Sequence, residues 1–113
     1  MNLLNETIET LHEYGKSPED VVWCGSQEFG WFPFDVFKKL ADKEYDDDYG
    51  SSKVAVDLLI VGNDFWLERA EYDGKEWWNF KTIPEKPNKR AIPKVIVDDR
   101  SMWESISAMQ KKK

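Results

Sequence analysis

Tyr72-Asp73-Gly74-Lys75 constrains this chain more than any other stretch. A two-residue type I′ turn needs positive φ at both central positions, and Asp-Gly tolerates that where most residue pairs do not. The turn sits between FWLERAEY and KEWWNFKT, two runs with strand composition. A second turn at Gly62-Asn63-Asp64 separates FWLERAEY from VAVDLLIV, residues 54–61. Residues 54–82 are therefore expected to form a three-stranded antiparallel meander.

Parity then sorts the side chains, because alternate residues face opposite ways and cross-strand partners share a face. With Asp73-Gly74 as the turn, Arg69 opposes Trp78, Leu67 opposes Phe80 and Phe65 opposes Thr82. Val56, Leu58 and Ile60 join them, giving a continuous apolar face that helices should cover. The opposite face collects Trp66, Glu68, Ala70, Tyr72, Trp77 and Lys81, with Ala55, Asp57, Leu59 and Val61 from the neighbouring strand. Tryptophans mixed with carboxylates on a sheet face are either covered by the remaining chain or open to a partner.

The flanking segments supply the cover. Leu4, Ile8, Leu11 and Tyr14 follow helical spacing over residues 3–14, with Asn2 or Asn5 as cap and Gly15 as the stop. SPED, 17–20, reads as one helical turn leading into a strand. VVWCGS, 21–26, and FGWF, 29–32, read as a hairpin that Pro33 ends, since proline has no amide to donate. Phe34, Phe37, Leu40 and Ala41 are spaced for a second helix. KEYDDDYGSS is a surface loop. KTIPEKPNKRAIPK, 81–94, holds three prolines and five basic residues and reads as an extended connector. VIV, 95–97, is long enough for a short edge strand. Ser101 and Glu104 form a capping-box pattern ahead of an amphipathic helix over 101–110, whose simplest place is on the second sheet face, over Trp66 and Trp77. Lys111 to Lys113 are expected to be disordered.

The fold class expected is α+β: an antiparallel sheet of four to six strands, meander plus hairpin, packed by two or three helices. At 113 residues one domain is expected, with its core over 3–83, the proline- and lysine-rich connector over 84–94 and the terminal strand and helix over 95–110. No apolar run approaches the ~20 residues of a membrane helix. The amino terminus has no basic region followed by an apolar stretch, so no signal peptide is expected. Cys24, the single cysteine, excludes an internal disulfide and fits a reducing cytoplasm.

Charge is unevenly placed. Residues 1–80 hold 18 Asp and Glu against 7 Lys and Arg, a balance of −11; residues 81–113 hold 4 against 9, a balance of +5. An acidic body with a basic tail is the result. The body repels phosphate, which disfavours direct nucleic-acid binding by its aromatic face.

Chemistry is sparse. One Cys and one His cannot assemble an ordinary structural zinc site within one chain. EYDDDYG does not match the alternating Asp or Asn, position-six glycine and distal glutamate of an EF-hand loop, and no glycine-rich phosphate loop is present. Cys24 and His12 lie on different elements with no third group to orient them. Asp57 and Glu68 share the second face as the one carboxylate pair that could be drawn for acid–base work. No catalytic residue, metal or cofactor is expected.

DVVWCGS, EYDDDYG and the tryptophan-rich run around Tyr72-Asp73-Gly74 occur in an order that resembles small uncharacterised proteins encoded by phages and prophages of Gram-positive bacteria, over roughly residues 17–87. The resemblance carries no activity and no site residue; it implies an accessory or host-interaction role.

A non-enzymatic acidic protein that engages a basic protein surface is the leading expectation. Trp66, Tyr72 and Trp77 would anchor the contact, and Asp46, Asp47 and Asp48 would steer it. A nucleic-acid-associated protein using Lys86, Lys89, Arg90 and Lys94 is the alternative, and a small enzyme with a carboxylate site is the second. Oligomeric state is open at this stage.

Overall fold

A computed structural model describes residues 1–111. One five-stranded antiparallel sheet organises the chain, with spatial order β2-β1-β3-β4-β5. The strands are β1 (Val21–Ser26), β2 (Gly30–Phe32), β3 (Leu59–Gly62), β4 (Phe65–Tyr72) and β5 (Lys75–Thr82). Three helices accompany them: α1 (Leu3–Glu13), α2 (Phe34–Ala41) and α3 (Ile106–Lys111). The α+β class and the hairpin-plus-meander plan follow the sequence reading.

The Asp73-Gly74 turn sets the register as parity requires. Asp73 has φ 52° and Gly74 φ 86°, the signature of the tight primed turn. Arg69 pairs with Trp78, Leu67 with Phe80 and Phe65 with Thr82. On this first face Leu67, Ile60, Phe65, Trp78 and Cys24 meet Leu11 of α1 with Phe37 and Ala41 of α2, forming the core. Asn2 caps α1 by accepting from the Asn5 amide at 3.0 Å. Tyr14 stacks on Phe80 at 4.2 Å between centroids, so the helix end seals one corner of the sheet.

The core also holds charge. Arg69 donates to Glu76 Oε1 at 2.8 Å, to Glu6 Oε2 at 3.3 Å and to the Tyr45 hydroxyl at 3.2 Å. The Tyr45 hydroxyl in turn donates to Glu6. The Arg69 side chain is 3% exposed and lies 4.6 Å from the Trp78 ring centroid. Burial opposes the Arg69 charge, but hydrogen bonds to Glu76 and Tyr45 and the charge of Glu6 outweigh it and raise its pKa. The β4–β5 hairpin is thereby tied at one point to two segments remote in sequence, α1 and the loop after α2.

The same cluster explains where the first meander strand falls short. VAVDLLIV was expected to pair from Val54, yet β3 begins at Leu59. The Glu76 carboxylate accepts from the Lys53 amide at 2.7 Å and the Val54 amide at 3.3 Å, so these donors are turned toward β5 and not into a ladder with β4. Val56 is consequently exposed and off the core face, while Leu58 still packs against the core.

The tail differs most from expectation. Residues 95–97 form no strand. The terminal helix starts at Ile106 and not at 101, because Trp103 has φ 61°, incompatible with a helical turn. Ser101 does accept from the Glu104 amide at 3.4 Å, but Ser105 caps α3 through the Ala108 amide at 3.1 Å. Gln110 clamps α3 to the Lys94 and Val95 backbone. α3 buries none of its residues. The Cα radius of gyration is 18.6 Å, against the ~13 Å of a compact chain this long, and the extended tail accounts for the excess. Lys111 closes α3; the disorder expected at 112 and 113 falls outside the described residues.

Candidate functional site

The second sheet face is the feature left over once the core is built. Its rows follow from the register. Trp23, Val61, Trp66 and Lys81 lie side by side across β1, β3, β4 and β5. In the next row stand Trp31, Gly25, Leu59, Glu68 and Asn79. Ala70 with Trp77, and Tyr72 with Lys75, complete the face toward the hairpin turn. Four of the six tryptophans therefore share one side of the sheet, and α1 and α2 pack on the other.

These rings are open to solvent to different degrees. Trp31 is 70% exposed, Tyr72 76% and Trp77 39%, while Trp23 and Trp66 are half-buried among their neighbours. Two of their polar ends are satisfied locally. Trp66 donates from Nε1 to Glu68 at 2.7 Å, and Trp77 from Nε1 to Asn79 at 2.9 Å, each two residues along its own strand. Period-two spacing makes this possible, since residues i and i+2 stand on the same face.

At the β1–β2 end the face hollows into an open groove of about 640 Å³ lined by Val22, Trp23, Ser26, Gln27, Gly30 and Trp31. Gly25 holds this corner together: its φ is 136°, and a Cβ there would meet the Gly30 carbonyl oxygen at 2.1 Å. The irregularity between Val21 and Trp23 shifts the register by one residue and turns Val22 outward beside the groove.

The expected site residues divide. Tyr72, Trp77 and the acidic loop come together: the Glu76 amide donates to the Asp47 carbonyl at 3.0 Å, and Lys75 lies 3.8 Å from the Asp48 carboxylate. Asp46 accepts from the Asp48 amide at 3.1 Å, which shapes the loop. Trp66 stands apart from Trp77, four residues along β4, or about 13 Å at strand rise. Lys86, Lys89, Arg90 and Lys94 are all exposed on the irregular segment after β5. Asp57 is off the sheet, because β3 starts at Leu59, so the Asp57–Glu68 carboxylate pair does not form across strands. Trp23 and Trp31 were missed by sequence reasoning. The hairpin was legible, but nothing in the sequence says which edge of the meander it joins.

Other chemistry is held in the core. Burial pushes the Cys24 thiol up to about 12, which leaves it protonated and unreactive. The Glu6 and Glu76 carboxylates are occupied by Arg69. Among the described residues no three His, Cys, Asp or Glu side chains converge as a metal site, and no helix is long and apolar enough to cross a membrane. No protein-family model, curated protein or solved structure matches the chain.

Proposed function

We propose that the chain is a non-enzymatic binding protein, an accessory or host-interaction factor of the phage type, that engages a basic protein surface through its second sheet face. One observation carries this reading: Trp23, Trp31, Trp66 and Trp77 stand on the sheet face opposite α1 and α2, with Glu68 among them. Aromatic side chains concentrate interface energy. Indole faces attract Lys and Arg by cation–π interaction. The acidic loop at Asp46, Asp47 and Asp48, beside Tyr72 and Trp77, extends the negative potential and speeds encounter with a cationic partner.

The test is a tryptophan-fluorescence titration of the full chain with an oligo-arginine peptide, an oligo-glutamate peptide and a single-stranded oligonucleotide. Saturable quenching by the first alone, weakened by salt and by Trp77→Ala, is the expected result. Equal response to the acidic peptide, or a response to the oligonucleotide that Lys89→Glu removes, overturns it.

A further inference from the structure

We infer that the groove between Trp23 and Trp31 binds the proline-rich basic segment after β5, Pro84 to Lys94, of a second copy of this chain. The inference rests on the binding role proposed for the aromatic face and names the partner of one part of it.

Three observations meet here. The first is chemical. Pro84-Glu85-Lys86-Pro87 is a P-x-x-P segment followed by Lys89 and Arg90. Such a segment holds an extended polyproline conformation without internal hydrogen bonds, loses little entropy on docking, and fits flat aromatic-lined grooves. The groove offers two indoles with an amide and a hydroxyl at its rim, Gln27 and Ser26.

Charge is the second. Residues 21–32, the hairpin that builds the groove, contain Glu28 and no Lys or Arg. Residues 83–97 contain Lys86, Lys89, Arg90 and Lys94 against Glu85 alone. The segment is basic and the hairpin is not, so the two regions do not repel each other.

The third is reach, and for the Pro84/Pro87 pair docked together it favours another copy's segment over the chain's own. Lys81 and Trp23 lie in one row, three strand spacings apart, or about 14 Å, and β2 is one further, about 19 Å away. Pro84 is three residues beyond Lys81, at most about 10 Å of extended chain. A chain cannot lay Pro84 and Pro87 together between its own Trp23 and Trp31. A second copy can, and in a symmetric pair each copy offers one groove and one segment.

Sedimentation equilibrium of the full chain tests this over a range from about 1 to 500 µM, where a contact this small should associate. Reversible self-association is expected, weakened by salt. Trp31→Ala, at an exposed position outside the core, and Pro87→Ala/Lys89→Glu/Arg90→Glu should each weaken it at least tenfold. Mixing the two variants should restore association through the one intact groove and the one intact segment. A monomer throughout the range overturns the inference, as does association that survives both variants or is not restored by mixing. If the chain stays monomeric while oligo-arginine still quenches Trp66 and Trp77, only the partner is wrong. If neither binds, the aromatic-face reading falls with it.

Discussion

Trp77 and Trp78 are neighbours in sequence and opposites in environment. Trp78 is 6% exposed and donates from Nε1 to Thr7, 71 residues away, at 2.9 Å. Trp77 is 39% exposed and donates to Asn79, two residues away. The difference extends over both faces of the sheet. The first face is closed by partners brought from α1, α2 and the loop after α2, whereas the second is satisfied within its own strands. Trp66 and Trp77, whose indoles already have local acceptors, need no cover to satisfy them, and so stay available for contact. Burying an indole without such an acceptor would cost ~1–3 kcal/mol.

The sharpest way to test this contrast is to remove the charge at the centre of the closed face. Arg69→Met leaves Glu6 and Glu76 buried without their cation, and a loss of about 3–5 kcal/mol is expected in urea unfolding. The triple variant with Glu6→Gln and Glu76→Gln should regain part of it. Trp78→Ala comes next, at about 3–5 kcal/mol, because it empties core volume and leaves the Thr7 hydroxyl with only its bond to the Leu3 carbonyl. Trp77→Ala should cost less than about 1 kcal/mol, as a partly exposed site with a local acceptor. Equal losses for the two neighbours would mean that both faces are packed, and the contrast would fail.

A smaller effect comes from proton linkage. Burial works against the Glu76 carboxylate, but the Lys53 amide, the Arg69 guanidinium and the Val54 amide outweigh it and hold its pKa below the usual value of 4.5. A carboxyl depressed on folding contributes stability that is present above its unfolded pKa and lost as pH falls through its folded one. Stability should therefore decline below about pH 4.5 on this account, and Glu76→Gln should flatten that limb in denaturant melts run as a function of pH. A variant whose acid limb matches the parent's would show that the carboxylate gains nothing from folding.

What the sequence made legible follows the range of the interactions. The Asp73-Gly74 turn, the register of β4 with β5 and the division of Trp77 from Trp78 depend on residues close together, and parity alone assigns them. Asn2 and Gly15 bound α1 for the same local reason. Arg69 was readable as a core-face residue, but its partners were not, because Glu6 and Tyr45 lie 63 and 24 residues away. That cluster also withdrew Val54 from the expected strand. Of the candidate site, Trp66 and Trp77 could be placed on the second face from parity. Trp23 and Trp31 could not, since they share that face only through the pairing of β1 with β3. The tail misled because two serines, Ser101 and Ser105, both suit a helix start, and the backbone at Trp103 decides between them.

Trp23 and Cys24 repeat the contrast on β1, one residue apart, and allow the mildest test. Cys24 pairs with Ile60 on the closed face and is fully buried, whereas Trp23 pairs with Val61 on the open one. Burial raises the Cys24 thiol to about 12 and denies it to solvent, so labelling by a disulfide reagent at neutral pH should proceed only as fast as the chain opens. Trp23 should meanwhile be quenched by acrylamide in the folded state. Rapid labelling of Cys24 without unfolding would place solvent on the closed face and overturn the assignment of faces at β1. Labelling that accelerates in Arg69→Met, in step with its lost stability, would show that the two ends of the closed face open together.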